Sequence, residues 1–263
     1  MGNVNRELSS NNHGTRLNCA ERIDWTPTPE QVEKCLCDEE WKVRMAWAKR
    51  MDWTPTPEQV ERGLNDEDYD VREAWVQRMD WTPTPEQADM GLNDPDYDVR
   101  VAWTSRMDWT PTPEQVESGL DDRDVDVRTA WIRRMDWTPT PEQVEKGLNG
   151  AWETREAWVR RMDWTPTRAQ IEVGLSDPDV DVRVAWAERM DWTPTHEHVK
   201  DGLKDRIVDV RLAWIGRHDW TPTHEQIEMG LNDLSIAVRD AWMNRLKVEQ
   251  DKLLDDEQVP EAS

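Results

Sequence analysis

Phenylalanine is absent from the 263 residues, tyrosine occurs twice and cysteine three times. Leu, Ile and Val together number 45, about 17% of the chain. No apolar run approaches the roughly 18 residues that a membrane-spanning helix needs. The opening Met1-Gly2-Asn3-Val4-Asn5-Arg6 lacks the apolar stretch of a secretion signal. It also carries Arg6 where myristoylation wants Ser or Thr, so no lipid anchor is expected. Three Cys are no disulfide framework in a chain of this length, and a reducing cytoplasm is the expected location. Basic residues are scarce, 33 against 56 acidic, giving a formal net charge of −23. That balance argues against nucleic-acid backbone binding, which Lys and Arg drive by releasing counterions. Few aliphatics and a large net charge would by themselves describe a disordered chain.

The chain instead holds 18 Trp and 11 Met. A buried Trp removes about 150–250 Å² from water, worth about 4–6 kcal/mol. Whether the chain folds therefore depends on where the Trp sit, and they sit in register. Asp-Trp-Thr-Pro-Thr recurs eight times, with Trp at 25, 53, 81, 109, 137, 164, 192 and 220. A second series, in Ala-Trp, falls at 47, 75, 103, 131, 158, 186, 214 and 242. The period is 28 residues, with a single gap of 27. A period in this range means a stacked repeat array.

Each repeat carries two helix starts. Thr56, Pro57 and Gln59 are an N-cap, a Pro at the first helical position and the third residue of a capping box. Val60 and Leu64 then share one face, and Gly63 stands near the end. In the next repeat Asp94 and Pro95 read as cap and first helical residue of the second helix. Val99, Ala102, Trp103, Arg106 and Met107 follow at helical spacing and are expected on one buried face. The implied fold is all-α: a right-handed α-solenoid of eight two-helix repeats of about 28 residues, since neither helix buries its stripe alone. Cys19 to Asp24 aligns with Trp47 to Asp52 and is expected to form a half-repeat cap. The boundaries drawn are a flexible polar segment 1–18, the solenoid 19–246 and an acidic tail 247–263.

Asp-x-Asp-x-x-Val-Arg-x-Ala followed by Thr-Pro-Glu resembles the leucine-rich repeat variant and bacterial HEAT-like repeats over residues 19–246. The resemblance implies short alternating helices. It also implies Asp–Arg pairs between neighbouring repeats, the matching Arg being 44, 72, 100, 128, 155, 183, 211 and 239. Two departures stand out: a longer repeat, and Trp where the family uses aliphatics.

No catalytic constellation is legible. The Asp-x-Asp-x-Asp runs, such as Asp66/Asp68/Asp70, lack the Gly and Glu of a calcium loop and read as helix caps. Cys19, Cys35 and Cys37 fall one short of the four thiolates of an iron–sulfur cluster. His196 and His224 occupy one slot in successive repeats, too far apart to share a zinc ion. No cofactor or metal is expected. Asn149 to Arg155 loses one residue and reads as a local kink or a binding notch.

Positions that vary between repeats mark where surface is expected. One is the slot after Val-Arg, with Glu73, Val101, Thr129, Glu156, Val184 and Leu212 as candidate partner-binding residues. Others are the slot before Gly-Leu and the residue after the second Trp, such as Ala48, Val76 and Thr104. The expected function is a non-enzymatic scaffold for a protein partner, without direct nucleic-acid or membrane binding. The alternatives are an acidic nucleic-acid-mimicking decoy for a DNA-binding protein, and a HEAT-like lyase or enzyme accessory protein.

Overall fold

The computed structural model describes residues 2–22 and 24–256. The end of the expected acidic tail, 257–263, lies outside the described residues. Every element among the described residues is helical, eighteen helices and no strand. Two units emerge, residues 1–137 and 138–263.

The module is the same in both. The leading helix of a repeat, for example Pro57–Leu64, starts at Thr56, whose hydroxyl accepts from the Gln59 amide while the Gln59 side chain accepts from the Thr56 amide. All eight leading helices carry this reciprocal cap, with His198 replacing Gln in Thr195-His196-Glu197-His198. The trailing helix, for example Tyr69–Val76, starts at Asp68, which accepts from the Asp70 amide. In the first unit the trailing helices Trp41–Ala48, Tyr69–Val76, Tyr97–Ser105 and Val125–Arg133 pack side by side. In the second, Trp152–Arg160, Val180–Glu188, Val208–Gly216 and Ile236–Asp256 do the same. Within a unit, an inner trailing helix such as Tyr69–Val76 thus has a neighbour on either flank and a leading helix behind it.

The second Trp series forms the core: all eight, from Trp47 to Trp242, are at most 2% exposed. Each lies across the leading helix of its own repeat, where a methyl group on Gly63, Gly91, Gly119, Gly147, Gly174, Gly202 or Gly230 would fall inside the indole. That close approach explains the Gly of Gly-Leu. In the first repeat Cys35 holds this slot and Trp47 has to adjust. Its ring meets Trp25 at 68°, against 77–89° in the equivalent pairs of later repeats.

Two arginine series join the repeats. Arg44 binds both carboxylate oxygens of Asp66 at 2.7 Å, as Arg72 does for Asp94 and Arg100 for Asp122. Arg155 and Arg183 pair likewise with Asp177 and Asp205, while Arg211 reaches Asp233 through a single contact at 2.9 Å. Arg128 instead reaches the Asp122 carbonyl, and the slot of its carboxylate is filled by Gly150. The second series was visible in the sequence only as part of the apolar stripe. Arg106, 3% exposed, donates to the Val76, Arg78 and Trp81 carbonyls at 2.7–2.9 Å and grips Asp108 through both carboxylate oxygens. Its guanidinium lies 4.3 Å from the Trp81 ring centroid. Such a planar fork satisfies carbonyls and carboxylate together while stacking on an aromatic face.

The N-terminal cap begins earlier than the sequence suggested. Residues 1–18 supply helix Gly2–Glu7 and much of His13–Glu21. Leu8 is 2% exposed, and Arg16 grips Asp38 at 2.7–2.8 Å, repeating the Arg44–Asp66 pair one repeat earlier. The polar composition concealed this because the pairing Arg belongs to an array whose Val and Trp are missing here.

Candidate partner-binding face

The trailing helices leave one face uncovered, and the slot after Val-Arg lies on it. In the second unit Val184 and Leu212 line one open groove of about 610 Å³ together with Met190, Asp209 and Gly216. In the first unit a groove of about 760 Å³ is lined by Leu17 and Met45, with Trp41, Ala46 and Met51 beside them and Lys42 and Lys49 at its rim. Leu17 follows Arg16 as Met45 follows Arg44, so both grooves are built from the same slot. Leu17 was missed because the segment holding it was read as lying outside the stack. Glu73, Val101 and Glu156 are half-buried on this face, whereas Thr129 is only 6% exposed.

Except at Met243 in the last repeat, which is 52% exposed, the residue after the second Trp is not surface. Ala48, Val76, Thr104 and Val159 are fully buried, and Ile132 and Ile215 nearly so. A helix flanked on both sides and backed by a third buries adjacent positions, so variation there reflects core volume.

The opposite correction applies to methionine. Met107 leaves the buried stripe, because its helix ends at Ser105 and Arg106 turns the chain outward. Met51, Met79, Met107 and Met135 in the first unit are 58–60% exposed, and Met162 and Met190 in the second 51–52%. Unbranched thioethers repeated at one surface slot form an adaptable apolar edge.

The Asp-x-Asp-x-Asp runs divide into three roles. The first Asp pairs with the Arg of the preceding repeat, and the second caps the trailing helix. The third, Asp70, Asp98 or Asp126, has no ion pair among the described residues. Burial, followed by the charge of Asp96, raises the Asp98 carboxyl above its ordinary value. Glu73 is raised by burial and then by Asp98, against the opposing pull of Lys49. Tyr69 and Tyr97, 43% and 42% exposed, stand beside these acids, and Asp70 and Asp98 raise their phenols.

Elsewhere the repeat is broken at 192–219. An acidic residue on one leading helix accepts from the Gln of the next in Glu33–Gln59, Glu61–Gln87, Asp89–Gln115 and Glu145–Gln170. Here Lys200 replaces the acid and His198 the Gln. His196 and His224 line a cleft of about 480 Å³ with Lys200 and Lys204. Among the described residues no group of three or more His, Cys, Asp or Glu could hold a metal. Cys37 is exposed, while Cys19 and Cys35 are buried, and burial pushes the Cys35 thiol up to about 12. That thiol stays protonated and inert. At Asn149 to Arg155, helix Trp152–Arg160 starts at Ala151 without a side-chain cap and leaves Trp152 40% exposed.

No protein-family model and no curated protein matches the chain. A solved structure does match, described as a leucine-rich repeat variant with a novel repetitive protein structural motif. It shares 21% identity and a TM-score of 0.59, over 90% of this chain and 88% of the other. The chain is a helical repeat protein with the leucine-rich repeat variant fold. At this identity the likeness is one of fold. No helix among the described residues of the repeat protein is long and apolar enough to cross a membrane.

Proposed function

We propose that this helical repeat protein is a non-enzymatic, cytoplasmic scaffold that binds another protein along the open face of its trailing helices. One observation carries the reading: a slot that varies from repeat to repeat lines an open, partly apolar groove in each unit, Leu17 with Met45 and Val184 with Leu212. Repeat-to-repeat variation at an open groove lining changes what the groove can hold without disturbing the inter-repeat clamps, as partner selection needs. The exposed Met edge adjoins both grooves through Met51 and Met190. The supporting experiment is capture of a partner by purified protein, repeated with Val101, Val184 and Leu212 changed to Glu. Loss of the captured protein with unchanged helical dichroism is expected. Undiminished capture would remove this face from the function.

The unpaired Asp70, Asp98 and Asp126 favour a second reading, an acidic decoy that occupies a DNA-binding protein. Repeats stacked about 8–10 Å apart space carboxylates more widely than the roughly 7 Å step between phosphates of an extended strand. Binding that collapses between low and moderate salt would favour the decoy.

A further inference from the structure

We infer that the cleft between the leading helices His196–Gly202 and His224–Leu231 binds a small organic dicarboxylate. The site belongs to the leading helices rather than to the trailing-helix face, so it stands apart from the scaffold reading.

The inference begins with one buried amide. In four repeats the capping Gln keeps its Oε1 on the Thr amide and turns its Nε2 to the preceding leading helix. A carboxylate meets it there at 2.5–3.3 Å: Glu33 for Gln59, Glu61 for Gln87, Asp89 for Gln115 and Glu145 for Gln170. Gln226 keeps the first half of this arrangement, its Oε1 accepting from the Thr223 amide at 2.8 Å. The second half is missing, because the slot of the acid holds Lys200, an ammonium that cannot accept. Among the described residues the Gln226 Nε2 has no acceptor. Yet Gln226 is only 6% exposed, whereas Gln59, Gln87, Gln115 and Gln170 are half-buried. A donor removed from water without an acceptor is a cost that those repeats avoid.

The surroundings indicate what would remove it. Three more slots depart from the repeat at this place. Lys204 stands where the other repeats have Asn, Asp, Ser or Cys, and His196 and His224 where the first five have Pro. All three line one cleft with Lys200 and Gln226. Glu197 and Glu225 line it too, but Glu197 is held by Lys200 at 2.9 Å and Glu225 is exposed. Lys200 has two further N–H groups to give, and Lys204 has no ion pair among the described residues.

A carboxylate from outside would restore what the other repeats build from within, accepting from the Gln226 Nε2 and from Lys200 together. Lys204, four residues beyond Lys200, then calls for a second charged end. A cleft of about 480 Å³ suits such a molecule, since small-molecule sites span about 300–1,000 Å³. A single-centred anion such as phosphate would meet one end only.

The test uses the full-length protein and succinate as the probe, with sodium chloride at matched ionic strength as the blank. Proton–nitrogen correlation spectra follow the Gln226 side-chain amide. A saturable shift of that amide and a raised melting midpoint are expected. Lys200→Glu returns the repeat's own carboxylate to the vacancy and is expected to weaken succinate about tenfold or more, by removing a charge-assisted hydrogen bond and occupying its place. Gln226→Glu keeps an acceptor for the Thr223 amide but sets a like charge against the ligand, and is expected to abolish binding. Helical dichroism should be unchanged in both. Lys204→Ala is expected to weaken succinate several-fold and to leave acetate binding as it was. No saturable shift, a shift reproduced by sodium chloride, undiminished binding in Lys200→Glu, or phosphate or acetate binding as tightly as succinate would each overturn the inference.

Discussion

Replacing Arg106 by Met tests how the repeats are held together. The guanidinium donates to two carbonyls of the preceding repeat, Val76 and Arg78, and to that of Trp81 at the start of its own, and neutralises Asp108. Methionine keeps much of the stem volume and removes every donor. Taking one partner from a buried ion pair costs about 3–5 kcal/mol. Because the Asp108 side chain is 26% exposed, water recovers part of its solvation, so the lower end, about 3 kcal/mol, is expected. At about 2–4 °C per kcal/mol for domains of 150–250 residues, the melting midpoint should fall by roughly 6–12 °C. Urea and thermal unfolding followed by helical dichroism and tryptophan emission measure this. Arg128→Met is the internal control, because among the described residues that side chain reaches a single carbonyl, Asp122, and no carboxylate. It should cost about 0.5–1.5 kcal/mol, the worth of an ordinary hydrogen bond. Adding Asp108→Leu to Arg106→Met should recover part of the loss, since the stranded carboxylate is then gone. A loss for Arg106→Met no larger than for Arg128→Met would refute the clamp.

Two further perturbations separate packing from charge. Gly91→Ala places a methyl group inside the Trp103 indole and should cost about 1–3 kcal/mol as overpacking, whereas Cys35→Ala in the equivalent slot should be milder. Equal, small effects from the two would mean that the Trp adjust freely. The pH profile of stability should rise and then fall. Asp98 and Glu73 have raised folded values, so their ionised forms oppose folding, and stability should increase as pH falls from 7 through those values. Asp52 and Asp108, held down by Arg50 and Arg106, act in the opposite sense. Their contribution is present above the ordinary carboxylate range and is lost as pH falls through their lowered folded values. Glu33, lowered to about 2 by Arg62, has the same sign but is about half exposed and contributes little. Asp98→Asn should flatten the rise, and a steady decline from pH 7 to 4 in the unaltered protein would contradict the assignment.

The repeat length, the leading-helix start and the Asp–Arg pairs were legible because each is local or strictly periodic, whereas Asp94 and Pro95, read as cap and first residue of the trailing helix, precede its actual cap at Asp96. A capping box needs only four residues, and a slot repeated eight times shows its role by what it forbids. What was hidden depends on direction in space. Arg106 and Met107 are adjacent and both continue the helical spacing of Val99 and Trp103, yet one is 3% and the other 58% exposed. Periodicity cannot see that the helix stops between Ser105 and Arg106. The Thr104 slot misled for a related reason: variation signals surface only where a helix has an open side, and flanking neighbours close that side.

The third Asp shows the same limit and explains why the face differs from the clamps. Asp66, Asp68 and Asp70 are chemically identical in the sequence. The pleat of the turn sends the first to Arg44 and the second to the Asp70 amide. The third begins a helical turn facing away from both and remains without an ion pair among the described residues. A run of identical carboxylates is thus divided into a joint, a cap and an open charge by the geometry of one turn. Because the joint and the cap are satisfied inside the protein, only the third is available to a partner. Its charge can change without loosening the stack, so Asp70→Asn should alter binding while leaving the melting midpoint in place, whereas Asp66→Asn should lower the midpoint. If Asp70→Asn destabilised the protein as much as Asp66→Asn, the division of roles would be wrong, and the open face would be part of the scaffold's own construction.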